Sequence, residues 1–423
     1  FDEELQQTLR SQLDKGAVGL LVLDMDDFKQ VNSRFGRAAG DAVLRLFSHH
    51  MRKLMAPSEF AARLGGDEFG VILKAAKDEQ EVHARAVQLM ASLDTYLKRS
   101  VRARNCHASV GCAISAPGDN ADELFKKASL ALSSLRNTKQ REVQLFTPEI
   151  GIRDRQKVDQ IELAREALRF GWIIPYYQPK VSLLDDTIVG LEALIRISHP
   201  EEGVLPPARI ITALDHPHVG SELGERMMSL VIRDMKAWRE NGTVIGHVAL
   251  NLSAEHLTRP DFAGRLLADL QAARLSSDSL KLEITERVLI EELSGDIRDA
   301  LVRLQETGVG ISLDDFGTGY ASLTHLQYFP VDEIKIDRSF VDGLAGDAGN
   351  AAIVKAMIQL GRSLDIGVVA EGVETLSQAL LLRSWGCTTA QGFFLGAPMP
   401  AEYISSVVGS YRGRLNAEGW ATS

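Results

Sequence analysis

Between residues 188 and 391 the chain repeats one pattern: a short segment rich in Val, Ile and Leu ends in a polar side chain, and a segment with helical spacing follows. Successive strand–helix units of this kind predict a (β/α)8 barrel of the TIM type, with its active site at the carboxyl ends of the strands. A single acid at one strand end could be a helix cap. Polar residues on one strand after another are not explained by capping, so we predict a catalytic face. Its candidate residues are Glu192, Asn251, Glu283, Glu286, Asp314, Asp315, Lys335, Glu371 and Gln391.

The amide oxygen of Asn251 and five acids form a cluster of hard oxygen donors. The acids are Glu192, Glu283, Asp314, Asp315 and Glu371. Such donors suit Mg²⁺ or Mn²⁺, whereas zinc would need more His or Cys. So many carboxylates cannot converge without cations that neutralise them. Two metals about 3.5–4 Å apart fit best, which is the arrangement used to cleave phosphate esters. The pattern alone therefore predicts metal-dependent phosphodiester hydrolysis, in which Lys335 orients a water or stabilises charge on phosphorus. The alternative is another metal-assisted barrel reaction, such as a carbon–carbon lyase.

The first part of the chain has a different organisation. The apolar run "VGLLVLD" ends in Asp24 and reads as a buried strand, and further strands and helices follow as far as Phe146. Gly65 and Gly66 then raise two interpretations for Asp67 and Glu68. Either the glycines form a tight turn with solvated acids, or they let a phosphate approach the backbone while the acids hold a metal.

These patterns predict an α/β domain over residues 1–146, a hinge over 147–157 and the barrel over 158–423. The hinge is predicted from turn and charge signals in "TPEIGIRDRQK". A formal net charge of −10 disfavours binding to a nucleic-acid polymer. Three cysteines without zinc-like spacing indicate a reduced, cytoplasmic protein. Because the chain starts at Phe1 rather than Met, we expect a fragment whose missing N-terminal part could hold a sensor or a membrane anchor.

The segment "GLEALIR" at 190–196 is similar to the signature of the EAL family of cyclic di-GMP phosphodiesterases. The rest of that family's motif set follows in order over about residues 158–405. The matching segments are "YQPKVSL", "NLSAEHL", "LEITE", "LDDFGTGYASL", "IKIDRSF", "VVAEGVET" and "QGFFLG". The resemblance implies that cyclic di-GMP is hydrolysed to linear pGpG.

The resemblance also implies a role for each matching residue. Four of them would hold one metal: Glu192, Asn251, Glu283 and Asp314. Asp314 would bridge to a second metal completed by Asp315 and Glu371. Lys335 would contact the nucleophilic water, and Glu286 would anchor the loop "DFGTGY" with its Gly317 and Gly319. The substrate contacts would be Gln178, Arg196 and Gln391, of which Gln391 also orders the metal and water shell.

Ile197 stands where the family commonly has tryptophan, and Arg209-Ile210 and Ala213-Leu214 also depart from its usual pattern. None of these is a metal ligand, so we expect altered substrate contacts or regulation. A non-hydrolytic cyclic di-GMP receptor on the same barrel is the rival interpretation. Such receptors usually lose metal acids, and none of those acids is missing here.

"GGDEF" and "LDMDDFKQVNSRFGRAAGD" resemble the GGDEF family of diguanylate cyclases, whose fold is similar to that of nucleotide cyclases. The resemblance implies GTP with Mg²⁺ as ligand. Asp24, Asp67 and Glu68 would hold the metals, and Asn32 and Asp41 would contact guanine. The remaining nucleotide-binding residues would be Phe28, Lys29, Gly65, Gly66 and Arg136. Cyclisation needs two such domains face to face, so the resemblance also implies a homodimer.

Several departures bear on cyclase activity. Arg136 and Gln140 replace the family's lysine and arginine that touch the triphosphate, and the second change removes a charge-assisted donor. Ser33 and Arg37 replace an Asp and a His, and "APSE" at 56–59 stands where the inhibitory Arg-x-x-Asp is expected. The alternatives are a slow cyclase, a mainly cyclase-active bifunctional protein, or a GTP-binding domain that tunes the phosphodiesterase.

Overall fold

The computed structural model describes residues 1–12, 16–26, 28–98, 106–135, 142–259, 261–286, 288, 295–317, 326, 328–344, 346–411 and 413–415. The chain divides into two compact units, Phe1–Val158 and Asp159–Ser423. No helix in these described ranges is both long enough and apolar enough to cross a bilayer.

The first unit is built on one five-stranded sheet with strand order β2-β3-β1-β4-β5. Its strands are β1 (Ala17–Asp26), β2 (Glu59–Gly65), β3 (Glu68–Ala76), β4 (His107–Ile114) and β5 (Val143–Leu145). Its helices are α1 (Asp2–Gln12), α2 (Phe28–Phe35), α3 (Arg37–Leu54), α4 (Glu79–Leu97) and α5 (Ala121–Leu135). This arrangement confirms the predicted mixed α/β domain.

The central strand β1 is buried on both faces because its side chains alternate between two separate hydrophobic cores. Leu21 and Leu23 belong to one core, together with residues of α3 and α4. Leu20 and Val22 belong to the other, together with residues of α1 and α5. The apolar run that follows residue 17 is therefore continuous rather than alternating, as expected for a strand covered on both sides.

The segment 147–157 was expected to form a hinge with turn character, and the structure differs there. All of it except Thr147 lies inside one helix, α6 (Pro148–Phe170), which also includes the residues at the division between the two units. Proline at the first helical position is compatible with a helix start, because its missing N–H would have no intrahelical partner there. The helix ends before Gly171, which adopts a left-handed φ of 73°.

In the described residues of the second unit, eight strands close into a barrel in the order β6-β7-β9-β10-β11-β12-β13-β14, and β14 pairs with β6. The strands are β6 (Ile173–Ser182), β7 (Ile188–His199), β9 (Val248–Asn251), β10 (Leu280–Thr285), β11 (Gly310–Phe316), β12 (Glu333–Ile336), β13 (Gly367–Ala370) and β14 (Thr389–Gln391). Short strands β8 (Gly203–Leu205) and β15 (Met399–Pro400) pair outside the ring.

The barrel confirms the predicted architecture with one difference. Strand β6 runs antiparallel to both of its neighbours in the ring, whereas the pairs from β7 to β14 are parallel. A uniformly parallel barrel was the expectation. The turn between β6 and β7 is too short for the crossover that a parallel pair requires, so the two strands form a hairpin.

Helices surround this ring of strands. They are α7 (Ile211–Leu214), α8 (Pro217–Glu240), α9 (Ala254–Leu257), α10 (Phe262–Ala272), α11 (Asp296–Glu306), α12 (Arg338–Asp342), α13 (Ala348–Leu364), α14 (Leu376–Trp385) and α15 (Ala401–Ser410). Two short 3-10 helices cover Pro207–Ile210 and Ser277–Ser279. Alternate strand residues such as Leu282 and Ile334 join the hydrophobic core with the helices. Their neighbours Glu283 and Lys335 take the opposite face, so part of the barrel interior is polar.

Candidate functional site

The predicted catalytic face is present at the carboxyl ends of the barrel strands. In the parallel register of the strands, Glu283 lies beside Asn251. Asp314 lies beside Thr285, which is the last residue of the strand that carries Glu283. Strand β12 brings in Lys335, and Glu371 follows the end of β13. Since each of these strands contributes one or two inward side chains, the cluster is assembled from residues far apart in sequence.

Lys335 lies at the centre of this cluster and is almost fully buried. Its Nζ is 2.7 Å from Glu371 Oε1 and 2.8 Å from Glu283 Oε2. The same nitrogen is 3.1 Å from Asp314 Oδ1 and 3.5 Å from Glu192 Oε1. Four predicted metal ligands therefore converge on one cationic point.

One ammonium does not balance four carboxylates, and the pKa values express this excess of negative charge. Burial raises the pKa of Glu192 to about 7, and the neighbouring Glu283 carboxylate adds to that rise. Burial likewise raises the pKa of Glu371 to about 8. Burial alone would lower the pKa of Lys335, but the surrounding carboxylates outweigh it and hold that pKa well above its usual value. An additional positive charge in the cluster would therefore stabilise the ionised forms of Glu192 and Glu371.

Two amide side chains complete the cluster. Asn251 donates from Nδ2 to Glu192 Oε1 at 3.2 Å and to Glu283 Oε2 at 3.4 Å. Gln391 donates from Nε2 to Gln178 Oε1 at 2.9 Å and also to Glu192 Oε2. Gln391 Oε1 is buried and has no hydrogen-bond partner in the described part of the chain. This oxygen is an acceptor that a water or a cation would satisfy.

A second layer of charge lies deeper in the barrel, and the sequence analysis missed it. Lys180 is fully buried and its Nζ is 2.7 Å from Glu283 Oε1 and 3.3 Å from Glu333 Oε1. Glu333 Oε2 is 2.6 Å from Lys281 Nζ, and Ser312 donates to its Oε1 at 3.0 Å. We call Lys281, Glu333, Lys180, Glu283 and Lys335 the interior charge chain. The two-residue period of a strand could have predicted this layer, because Lys180 is two positions from Gln178 and Glu333 is two positions from Lys335, which places each pair on the same face of its strand.

A cleft of about 250 Å³ opens above the cluster, and Gln178, Glu192, Asp314, Lys335, Glu371 and Gln391 contribute to its lining. At its rim Arg338 pairs with Glu374 at 2.7 Å, and Phe393 is 61% exposed. The remaining lining residues are Leu194, Gly372 and Gly392. Arg338, Glu374 and Phe393 were not predicted, because the side chains that follow a strand give no periodic signal.

Three other predicted residues of the barrel, Arg196, Glu286 and Asp315, are not among those that line this cleft. Arg196 is half-buried, and its guanidinium lies 5.6 Å from the centre of the Tyr176 ring. Glu286 is buried and accepts a hydrogen bond of 2.8 Å from the Gly317 amide, so it contacts the start of the "DFGTGY" loop. Gly319 lies outside the described residues. Asp315 is exposed with a left-handed φ of 55°, whereas Glu192 and Glu283 beside Lys335 are buried.

The donor atoms of the cluster are grouped around Lys335 rather than around a metal position. In the described ranges, no group of three or more His, Cys, Asp or Glu side chains is already arranged to hold a metal ion. The carboxylates are drawn to the Lys335 ammonium instead, and Asn251 presents its nitrogen rather than its oxygen. The chemistry of the set nevertheless fits Mg²⁺ or Mn²⁺, since it offers carboxylate and amide oxygens with excess negative charge.

In the first unit, the hairpin between β2 and β3 turns through Gly66 and Asp67, and Gly66 adopts φ 52°. Leu23 pairs with Phe69, so Asp24 and Glu68 are the next residues along the two strands. The hairpin therefore brings the three predicted metal acids to one end of the sheet. All three are half-buried.

Of the predicted guanine residues, Asn32 lies against helix α3, because a Cβ atom at Gly40 would lie 2.0 Å from Asn32 Oδ1. Asp41 is the next residue of that helix. Phe28 is buried, whereas Lys29, Asp41, Gly65 and Gly66 are exposed. Arg136 and Gln140, on which the cyclase question depends, lie outside the described residues.

Comparison with known proteins gives two family matches. Residues 162–398 match the EAL domain, and residues 1–142 match the diguanylate cyclase, GGDEF domain. The chain is 33% identical over 411 residues to the bifunctional diguanylate cyclase/cyclic di-GMP phosphodiesterase MucR of Pseudomonas aeruginosa, covering 96% of this chain and 60% of that protein. It is 33% identical over 414 residues to the cyclic di-GMP phosphodiesterase NbdA of the same organism, covering 97% of this chain and 53% of that protein. The chain thus spans between half and two thirds of the length of these relatives.

Solved structures agree with the barrel. A structure described as the PaMucR phosphodiesterase in complex with c-di-GMP is 38% identical, with a TM-score of 0.55, and covers 58% of this chain and 99% of its own. The EAL enzyme Bd1971, bound to cAMP and cyclic di-GMP, is 27% identical with a TM-score of 0.57, covering 73% of this chain and 82% of its own.

Proposed function

The chain belongs to the EAL family and carries a GGDEF domain before its EAL domain, and from this premise we propose that its barrel hydrolyses cyclic di-GMP to linear pGpG. The observation that carries the proposal is the convergence of Glu192, Glu283, Asp314 and Glu371 on the buried Lys335. A family receptor that only binds the dinucleotide has no need of this complete set of acids.

The same residues would hold two divalent ions, Mg²⁺ or Mn²⁺. Glu192, Asn251, Glu283 and Asp314 would hold the first, and Asp314, Asp315 and Glu371 the second. When bound, such ions neutralise phosphate charge and lower the pKa of water. Gln391 Oε1, buried without a partner in the described residues, is a further acceptor for the water shell.

Lys335 serves the reaction through its position. Its three N–H groups are within hydrogen-bond reach of three carboxylates, and if one of these carboxylates turned to a divalent ion, the N–H group it releases would donate to a water and orient it. The water oxygen bonds to phosphorus, the bond from phosphorus to one 3′-oxygen breaks, and that oxygen leaves with a proton. A fixed ammonium beside the phosphorus stabilises the negative charge that develops.

Arg196 and Gln178 would orient the substrate. Arg196 is half-buried, and burial lowers the pKa of its guanidinium without removing its charge at neutral pH. Such a guanidinium binds a phosphate through paired hydrogen bonds. Gln178 is held by its own bond to the Gly396 carbonyl at 3.0 Å, which fixes its oxygen toward Gln391. Glu286 would keep the "DFGTGY" loop in place through Gly317.

The test is turnover of cyclic di-GMP by purified protein with Mg²⁺ or Mn²⁺, read as linear pGpG. We expect product from the wild type and none from Glu192→Ala. Glu202→Ala is the matched control, because Glu202 is an exposed glutamate paired with Arg209. Cyclic di-GMP that binds but survives with either metal would overturn the proposal and support the receptor interpretation.

For the first unit, we infer GTP binding with Mg²⁺ at Asp24, Asp67 and Glu68, with Asn32 and Asp41 at guanine. The hairpin register and the contact of Asn32 with Gly40 support this inference. Two roles follow, slow synthesis of cyclic di-GMP or regulation of the barrel. In a Glu192→Ala background, cyclic di-GMP formed from GTP and lost with Asp67→Ala would establish synthesis. GTP that only changes the hydrolysis rate of the wild type would establish regulation.

Assembly and location are also proposals, because the chain spans only part of its listed relatives. We propose a homodimer, since cyclisation joins two GTP molecules across two GGDEF domains. These domains would work in the cytoplasm, with any membrane tether in a part of the protein outside this sequence. Analytical ultracentrifugation of the present chain with and without GTP tests the dimer.

A further inference from the structure

Lys180 contacts only one of the two carboxylate oxygens of Glu283, a predicted metal ligand. Its Nζ is 2.7 Å from Glu283 Oε1. The other oxygen, Oε2, is 2.8 Å from Lys335 Nζ and 3.4 Å from Asn251 Nδ2, on the side of the cleft. One oxygen of Glu283 is therefore engaged below the site, and only the other faces it.

We propose that Lys180 is a positioning residue, which holds Glu283 Oε1 away from the cleft so that Glu283 offers a divalent cation Oε2 alone. The inference rests on the proposed function of the barrel, since it concerns the metal geometry of that site. It adds a residue that does not line the cleft, because Lys180 is fully buried, and that contacts the site only through Glu283.

Lys180 itself is fixed from below. Glu333 Oε1 lies 3.3 Å from its Nζ, and Glu333 is in turn held by Lys281 and Ser312. Movement of this ammonium away from Glu283 or Glu333 would remove one of the two lysine partners of a buried carboxylate, which is destabilising. Lys180 is therefore held in one position, and its hydrogen bond to Glu283 Oε1 fixes the orientation of the Glu283 carboxylate.

The control residue is Lys281. Its Nζ is 2.6 Å from Glu333 Oε2, so it belongs to the same interior charge chain. Among the ion pairs of the described residues, Lys281 pairs with Glu333 and not with Glu283. If Lys180 served only to neutralise Glu333 for folding, Lys180→Met and Lys281→Met would have similar effects on the site.

The experiment combines Mn²⁺ electron paramagnetic resonance without substrate and steady-state turnover of cyclic di-GMP at saturating Mn²⁺. For Lys180→Met we expect an altered Mn²⁺ spectrum and a kcat lowered about 10- to 100-fold, the usual range for residues that orient metal ligands. KM for cyclic di-GMP stays within about threefold of wild type, because substrate contacts are unchanged. Mn²⁺ binds no more weakly, since a nearby positive charge has been removed. Lys281→Met keeps the wild-type spectrum and kcat.

An unchanged Lys180→Met spectrum, or equal losses in Lys180→Met and Lys281→Met, would overturn the inference. So would a kcat that excess Mn²⁺ restores, because that result would assign Lys180 to metal affinity. If Lys180→Met does not fold, Lys180→Met/Glu333→Gln removes one charge of each sign and is judged by the same criteria. A wild type that binds Mn²⁺ without hydrolysing cyclic di-GMP would overturn the proposed function, while an altered Lys180→Met spectrum would still support the positioning role.

Discussion

The barrel and the first unit set their acidic side chains in opposite surroundings. In the barrel, Glu192 and Glu283 are 5% and 0% exposed and lie around a buried lysine. In the first unit, Asp24, Asp67 and Glu68 are half-buried at the end of a sheet, and Asp41 is exposed.

This difference determines what each site needs from the fold. Buried carboxylates require counter-charges inside the protein, and the barrel site and the interior charge chain share Glu283 and Lys335. Acids near solvent are stabilised by water and need no such partners. In the barrel the acidic side chains are therefore positioned by contacts within the protein, whereas in the first unit we propose that a nucleotide and a metal complete the site.

Removal of Lys335 is the most severe test of this contrast. We expect Lys335→Met to lower turnover of cyclic di-GMP about 100- to 1,000-fold, since a fixed charge at the reaction centre is lost. The free energy of unfolding of the metal-free protein should fall by about 3–5 kcal/mol, because two buried and two half-buried carboxylates lose their common partner. Chemical denaturation measures the second effect. The control is Lys355→Met, an exposed lysine 4.6 Å above the Trp385 ring. A fully stable Lys335→Met protein would remove the basis of the comparison.

Acidification sharpens the contrast in a second way. Burial would raise the pKa of Glu333, but Lys180 and Lys281 outweigh it and lower that pKa to about 2 from an ordinary value of 4.5. Because the folded pKa is depressed, the stabilisation is present above about pH 4.5 and is lost as pH falls toward 2, amounting to about 3 kcal/mol. Denaturation of the barrel followed from pH 5 downward should therefore show a smaller decline for Glu333→Gln than for wild type. Parallel profiles would contradict this account.

The rim of the barrel should behave like its interior, although less strongly. Glu286→Gln replaces a charged acceptor of the Gly317 amide, which is 2.8 Å away, by a neutral one. Hydrogen bonds to charged groups contribute about 1.5–3 kcal/mol, so we expect turnover to fall roughly tenfold. Hydrogen exchange at the Gly317 amide should become faster, and Glu306→Gln on the exposed end of α11 provides the control. Unchanged exchange would show that Glu286 does not hold this loop.

The smallest effect on stability is expected in the first unit. Asp67→Asn should change the free energy of unfolding by no more than about 0.5 kcal/mol, because the turn is partly solvated. Its effect should appear in ligand binding instead, as a roughly tenfold weaker affinity for GTP with Mg²⁺, since a charged metal ligand has been removed. Calorimetric titration measures the affinity, with the exposed Asp122→Asn as control. A large loss of stability would show that this site, too, is part of a buried framework.

Much of the barrel site could be predicted because two regularities act together. Strand alternation sends Glu283 and Lys335 to the face opposite Leu282 and Ile334, and parallel register brings successive strand ends together. These regularities place Glu192, Glu283, Asp314, Lys335 and Glu371 in one cluster without any knowledge of the ligand. Their assignment to particular metals remains a prediction.

What escaped prediction depends on direction and depth. Alternation does not reveal which way a strand runs, so the antiparallel β6 was missed, although its short turn to β7 was a usable signal. Lys180 was missed because a lysine in an apolar strand suggests a sheet edge, and only the partners Glu283 and Glu333 explain its burial. The segment 147–157 was misjudged because its charged residues are equally compatible with a solvated helix.

The pairing of β6 with β14, the first and last strands of the ring, has a consequence for the order in which the site is made. Strand β6 is the first of the ring to be synthesised, yet one of its partners is β14, and Gln178 meets Gln391 across 213 positions of sequence. Until β14 has left the ribosome, one edge of β6 and one edge of β13 remain unpaired, and a nascent chain exposes them to other strands. The hydrogen bond from Gln391 to Glu192 forms in the same event, so the site is completed only when the ring of strands closes.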